Sequence, residues 1–314
     1  MIKINLEPEI RKGYYISADM KKVWAVEIDL LNKLLEVCKK YNLRIWAEGG
    51  TLLGAVREHG YIPWDDDIDM CMPRDDYDKL QSIAREEFKT PFFFQTGYTD
   101  FFPNGMAKLR KDGTAAIERE NVFRKLHQGI FIDIFPLDAV PRESAELSLF
   151  IKKIAYIRRN LNLYCNNHIY SLTNWKYNLM IFKNSYDIWR KGFYNAYKDY
   201  EKYVVQYNLN ESYDVSLVSW GFHEKYVRNR GWYNETIWLP FEQGIIPIPI
   251  GYHEILTKQF GDYMRPQQIP SVHKFDFLSP DISFSSVLPI YRNKYNQERW
   301  RVRKKNILKF LGFQ

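Results

Sequence analysis

Several protein classes are excluded by what this sequence lacks. Its 314 residues include only three cysteines, Cys38, Cys71 and Cys165. They are odd in number and far apart, which rules out a disulfide framework and a zinc-type spacing. No stretch approaches the roughly 18 consecutive apolar residues of a spanning helix. The opening residues Met1-Ile2-Lys3-Ile4-Asn5-Leu6-Glu7 lack the apolar core of a secretory signal. A cytoplasmic, soluble protein is the default expectation. Internal repeats and low-complexity linkers are absent too. Net charge is absent from most of the chain. Arg292, Lys294, Arg299, Arg301, Arg303, Lys304, Lys305 and Lys309, set against Glu298 alone, carry the entire formal charge of +7. Without a distributed basic field the chain does not read as a nucleic-acid binder. One local anionic partner is the most that the charge implies.

Aromatic side chains, by contrast, are abundant: 23 Tyr, 20 Phe and 9 Trp make up 17% of the chain. Such a surplus suits sugar stacking, an interfacial surface or an aromatic-rich core. The length easily supports a core and allows one or two domains.

Residues 18–41 read as an amphipathic helix, because Trp24, Ile28, Leu31, Leu35 and Cys38 recur at helical spacing. Ser17 or Asp19 is the expected cap. A strand over 43–48, a glycine break at Gly49-Gly50 and a short helix over 51–58 follow. A second strand is expected at 67–72, ended by Pro73, with Asp75 capping a helix that runs to about Glu87. Further strands are expected at 92–96, 106–111 and 130–135, the last of them closed by Pro136 and Pro141. Alternating helices and strands up to about residue 140 argue for a sheet layered with helices. The predicted fold class is α/β (α+β), a mixed-sheet catalytic core over 1–142. Residues 143–314 are read as a helical, irregular, aromatic-rich elaboration that completes the site.

The acidic run Trp64-Asp65-Asp66-Asp67-Ile68-Asp69 carries the chemistry. Alternate residues of a strand share a face, so Asp67 and Asp69 are expected side by side with Ile68 turned inward. Two carboxylates about 6 Å apart at an effective dielectric of about 20 repel by roughly 3 kcal/mol. A divalent cation relieves that repulsion, and hard carboxylate oxygens favour Mg²⁺ or Mn²⁺. Asp65 and Asp66 lie in the approach and are read as supporting, water-mediated or indirect ligands. A solvated acidic loop is the ordinary fate of a charge run. Here bulky apolar residues flank the acids, and another acid, Asp133, sits inside Ile130-Phe131-Ile132-Asp133-Ile134-Phe135. An unpaired acid in such a run is costly to bury, so Asp133 is expected to face a site.

Gly49-Gly50-Thr51-Leu52-Leu53-Gly54 lies one strand upstream of the aspartates. Helix N-terminal N–H groups seat phosphate, and glycine lets it come close. Gly49, Gly50 and Thr51 are therefore candidate phosphate contacts. Arg57 is a further candidate for a phosphate oxygen, as are Lys108 and Arg110, which alternate along one strand. His127 and His273 are possible accessory residues.

The segment from Gly49 to Arg57, followed by Gly60-Tyr61-Ile62-Pro63-Trp64-Asp65-Asp66-Asp67-Ile68-Asp69, closely resembles the LicD family of the nucleotidyltransferase superfamily, related to the fukutin proteins. Phe131 to Asp138 resembles the family's next motif. Gly251-Tyr252-His253-Glu254-Ile255-Leu256 and Phe260-Gly261-Asp262-Tyr263-Met264, followed by His273, resemble its C-terminal signature. Glu58-His59 departs from the Arg-His-Lys-Gly form common in the family. The resemblance implies a nucleotidyltransferase-like core and transfer of a phospho-alcohol, typically phosphocholine. The donor would be CDP-linked, and the acceptor a hydroxyl of a glycan or lipid-linked glycan. It implies Asp67 and Asp69 as metal ligands. Asp133 would be the third carboxylate, binding metal or accepting the acceptor proton. Gly50 and Thr51 would seat the donor phosphates. A choline group calls for an aromatic cage, with Trp220, Trp232, Tyr233 and Trp238 among the candidates.

Two other readings use the same residues. One is a nucleotidyltransferase that makes a CDP-alcohol or nucleotidylates a sugar; the other is an inactive glycan-assembly or membrane adaptor. The tail 297–314 reads as an imperfect basic amphipathic helix, with Trp300, Ile307, Leu308 and Leu311 near one face. Such a helix either makes a peripheral contact with an anionic membrane at the inner face or docks on the protein with its basic face solvated.

Overall fold

A computed structural model describes residues 1–165, 175–207, 214–220, 224–268 and 273–310. The chain opens with β1 (Glu9–Arg11), β2 (Tyr14–Ile16) and α1 (Ala18–Lys40), followed by β3 (Trp46–Ala47), α2 (Gly49–Arg57), β4 (Asp69–Pro73) and α3 (Arg74–Glu87). β5 (Phe92–Gln95), β6 (Ala107–Lys111), β7 (Ala115–Glu118) and β8 (Phe131–Val140) come next. Three helices follow, α4 (Ser144–Cys165), α5 (Trp175–Lys191) and α6 (Phe193–Val204). The rest comprises β9 (Asp214–Ser216), β10 (Val227–Asn229), β11 (Thr236–Phe241), β12 (Gly244–Pro249), α7 (Tyr252–Phe260), β13 (Phe275–Ser279) and α8 (Phe284–Phe310).

A mixed sheet forms the centre. β8 pairs in parallel with β4 and antiparallel with β6 and β9, which extend it to β5 and β10, while β3 pairs antiparallel with β4. All ten residues of β8 are buried, as a strand with neighbours along its length and layers over it requires. α1 covers the sheet with Trp24, Ile28, Leu31, Leu34 and Cys38. Ser17 caps that helix by accepting a hydrogen bond from the Met20 N–H at 3.2 Å, as expected. α4, α5 and α6 form a second layer around Phe150, Ile154, Leu161, Ile188, Tyr197 and Tyr200. β13 pairs with β7, and α8 packs there through Leu288 and Tyr295.

The structure corrects several element boundaries. α2 starts at Gly49 rather than Thr51, so both glycines lie inside its first turn. β4 starts at Asp69, which leaves Asp67 in the irregular segment before it and removes the alternation argument for that pair. α3 is capped at Pro73, and Asp75 lies within the first turn, where the helix dipole favours an acid. β8 runs on through Pro136, because Leu137 still pairs with Pro73 of β4 and Asp138 to Val140 pair with β9. α8 begins at Phe284, well before the helix expected at 297. Of the apolar tail face, only Trp300 has a described side chain; those of Ile307 and Leu308, and all of Leu311, lie outside the described residues. Among the described residues, no helix is long and apolar enough to cross a membrane.

Candidate active site

The site is a row across neighbouring strands. Asp69 of β4 is in register with Asp133 of β8, and Asp133 is in register with Lys108 of β6. Residues in register on adjacent strands, about 4.8 Å apart, project to the same face. The backbone joins this row at both sides: the Asp133 N–H donates to the Ile68 carbonyl and the Glu48 N–H to the Asp69 carbonyl, both at 2.9 Å. Lys108 Nζ lies 2.7 Å from one Asp133 oxygen and 3.0 Å from the other. It also sits 3.4 Å from the centre of the Phe131 ring. Burial pulls the Lys108 pKa below its ordinary value, with Asp133 opposing that shift.

The acidic segment closes over this row. Burial raises the Asp69 pKa well above the usual carboxylate range, and Asp67, Asp133 and Asp65 raise it further. Burial also raises Asp65 well above that range, with Asp67 beside it. Asp67 is raised by burial, while His273 opposes the shift. Asp65, Asp67, Asp69 and Asp133 therefore form one mutually repelling cluster. Its signature in the sequence was the every-second-residue spacing of 65, 67 and 69; strand periodicity had singled out only the last two.

The first turn of α2 abuts these acids. A side chain at Gly50 would overlap the Asp65 carboxylate, and a Cβ at Gly49 would lie 3.2 Å from Asp69 Oδ2 and 2.9 Å from Trp220. Gly49 has φ +54, a conformation that already favours glycine. The glycines thus let carboxylates approach a helix N-terminus, whose dipole favours negative charge. Thr51 Oγ1 accepts the Asp69 N–H at 2.9 Å, which fastens the helix to the start of β4.

The other candidates are distributed differently. His273 joins the site, with Nδ1 3.6 Å from Asp66 and 3.5 Å from Asp67. Asp66, Asp67 and His273 are, among the described residues, the group whose ligand atoms all lie within 4.8 Å of one another. Burial lowers the His273 pKa, but the two acids outweigh it and the net shift is upward. Arg110 is turned to the Gln95 side chain at 2.6 Å and the Gly129 carbonyl at 2.7 Å, and burial pulls its pKa down to about 10. Arg57 sits at the far end of α2, where it donates to Glu58 at 2.7 Å and to the Tyr263 carbonyl at 2.9 Å. His127 binds Asp112 at 2.9 Å and stacks on Phe93. The side chains of these three residues are engaged by partners outside the acidic cluster, although Arg110 still interacts electrostatically with Asp133.

Sequence reasoning missed the Glu48–Arg228 pair behind this site. Glu48, the N-cap residue of α2, is fully buried and pairs with Arg228 of β10 through two 2.6 Å bonds. Arg228 lies in a stretch whose sequence reads as irregular, so no local pattern marks it. Trp220 was one of many aromatics in the sequence. Here it stacks between Phe135 (4.8 Å) and Tyr226 (5.3 Å), with its edge against Gly49. Of the other cage candidates, Tyr233 binds Arg228, Trp232 packs on Gly251 and Trp238 is exposed on β11.

Residues 42–157 match the model of the LicD/FKTN/FKRP nucleotidyltransferase domain. Residues 42–157 are a LicD-family domain. This LicD segment contains every member of the acidic cluster together with the start of α2. The chain is 27% identical over 242 residues to the lipopolysaccharide cholinephosphotransferase LicD of Haemophilus influenzae, covering 76% of this chain and 88% of that protein. It is 41% identical over 96 residues to an uncharacterised protein of Rickettsia prowazekii, which covers 31% of this chain and 33% of that one.

Proposed function

We propose that the protein is a metal-dependent phosphotransferase. It moves a phospho-alcohol, phosphocholine first among the candidates, from a CDP-linked donor to a hydroxyl of a cell-surface glycan or its lipid-linked precursor. The observation that carries this reading is the convergence of Asp65, Asp67, Asp69 and Asp133 on the glycine-opened first turn of α2. It lies within a LicD-family segment, and a relative aligned over 76% of this chain and 88% of its own length is named a cholinephosphotransferase.

The donor set fits a hard divalent cation. The four acids, of which Asp69 and Asp133 are buried, face few cations, chiefly Lys108 and His273, and carboxylate oxygens suit Mg²⁺ or Mn²⁺. In this reading Asp67 and Asp69 hold the ion, with Asp133 and Asp65 beside them. The ion, when bound, neutralises charge that develops on the donor phosphates. The N–H groups of Gly50 and Thr51 receive the diphosphate at the helix N-terminus. Lys108 holds the Asp133 carboxylate in place, and Asp133 takes the proton of the acceptor hydroxyl. The acceptor oxygen forms a bond to the phosphorus bearing the alcohol as the bond to the CMP oxygen breaks. Positioning and charge neutralisation supply most of the catalysis at such a centre.

Product analysis after incubation with CDP-choline, Mg²⁺ and a glycan acceptor tests this. Release of CMP with choline on the glycan supports the reading. Pyrophosphate release from CTP and phosphocholine would instead assign nucleotidyl transfer, which the same acids can serve.

A further inference from the structure

The surface of α5 carries a feature that the phosphotransferase reading does not use. Trp175, Leu179, Phe182, Tyr186 and Trp189 recur at intervals of four, three, four and three residues. At about 100° per residue they fall within roughly 80° of one helix face, along some 21 Å of axis. All five are exposed, by 47–69%. The opposite face of α5 buries Ile181 and Ile188, and the helix packs on α4 and α6. The aromatic face is therefore its outward one. Lys176, Lys183 and Arg190, spaced seven residues apart, line one flank of the stripe, and Lys176 Nζ lies 5.8 Å from the centre of the Trp175 ring.

We infer that this face of α5 binds an anionic lipid bilayer, lying flat in the headgroup region. Three points on the surface favour lipid over a protein partner. Trp and Tyr, amphipathic and bulky, are the side chains that settle at a membrane–water interface. A coiled-coil seam of the same spacing takes Leu, Ile or Val as knobs; four of these five residues are aromatic. Self-association by an antiparallel pairing would also bring the three-cation flank against its own copy. The cations instead complement a negatively charged leaflet, where each contributes near the surface. A helix of this kind inserts only its apolar face and spans nothing, consistent with its length and charge.

Co-sedimentation of the full-length protein with vesicles tests the inference, and no catalytic activity is needed. Binding is expected to mixed phosphatidylcholine–phosphatidylglycerol vesicles, to weaken with salt, and to be much weaker with phosphatidylcholine alone. Lys176→Gln/Lys183→Gln/Arg190→Gln is expected to lower partitioning about 100-fold, or about five-fold per cation. Phe182→Ser/Trp189→Ser is expected to lower it at least tenfold. These side chains are exposed, so a circular dichroism spectrum should confirm folding; either variant suffices if the other misfolds. Neutralising the tail with Arg301→Gln/Arg303→Gln/Lys304→Gln is expected to leave most of the binding. The inference is overturned by absence of binding, by loss confined to the tail variant, or by binding that neither α5 variant reduces. It is also overturned if sedimentation equilibrium finds a dimer that Phe182→Ser/Trp189→Ser converts to monomer, since the stripe would then hold a second copy.

Discussion

Arg228→Met should destabilise the protein more than substitution of any exposed arginine, even though residue 228 is far in sequence from the acids. Arg228 is 1% exposed and Glu48 0%. The guanidinium makes two 2.6 Å bonds to the Glu48 carboxylate, one of 2.6 Å to the Tyr233 hydroxyl and one of 2.9 Å to Gln259. Burial alone would lower the Arg228 pKa, yet Glu48 beside it holds it well above the ordinary value. Methionine matches much of the arginine volume but leaves the Glu48 carboxylate buried next to Asp69. Removing one partner of such a pair costs about 3–5 kcal/mol. At about 2 °C per kcal/mol for a chain of this size, the thermal midpoint should fall by roughly 6–10 °C. The double variant Glu48→Gln/Arg228→Met removes both charges and should recover part of that loss. Differential scanning calorimetry of the two singles and the double gives the coupling, expected at about 2 kcal/mol or more. A midpoint shift below about 2 °C for Arg228→Met would refute the reasoning. So would a double variant whose loss equals the sum of the singles.

Gly50→Ala places a Cβ in the Asp65 carboxylate, and overpacking of this kind costs about 1–3 kcal/mol. Its turnover should fall by at least tenfold while Gly113→Ala, at an open site with nothing within 4 Å, loses only stability through its φ of +79. Lys108→Met leaves Asp133 without its ion pair; steady-state kinetics should show kcat falling at least tenfold, and unchanged kcat would contradict the role given to Asp133. A fourth expectation concerns pH. Burial lowers the His127 pKa, and its Nδ1 accepts the Gly129 N–H at 3.2 Å, which a proton there would block. The unfolded chain then binds the proton more readily below its own His pKa of about 6.5. This residue's contribution is therefore present above that pH and lost as pH falls through the unfolded value towards the lowered folded one. Thermal midpoints of His127→Gln should change less than wild type between pH 7 and pH 5; equal slopes would contradict this.

The local parts of the fold were legible in the sequence, and the non-local parts were not. α1 followed from the spacing of Trp24, Ile28, Leu31 and Cys38, and Ser17 caps it as its residue type suggests. The acidic run, the glycine turn and Asp133 were visible because charges and glycines are out of place among large apolar residues. Their pairing was not. Strand periodicity chose Asp67 with Asp69, whereas inter-strand register aligns Asp69 with Asp133, 64 positions away. Register depends on tertiary packing, to which a single-strand pattern is blind. β9, β10 and β13 escaped notice for the same reason: each is only three to five residues long and is defined by its partner. Arg57 was read as a phosphate contact from its place after the glycine turn, and Arg110 from its alternation with Lys108; their partners Tyr263, Gln95 and Gly129 come from elsewhere in the fold, where no local pattern shows them.

The account rests on the acidic cluster binding the metal that serves transfer. The most direct measurement is CMP release from CDP-choline, with a glycan acceptor, as Mg²⁺ is titrated into wild type and Asp69→Asn. The account predicts saturable metal dependence in wild type, loss of turnover on chelation, and a fall of at least about 100-fold in Asp69→Asn that added Mg²⁺ does not restore. Near-wild-type release by Asp69→Asn, or full activity of the wild type in excess chelator, would contradict it.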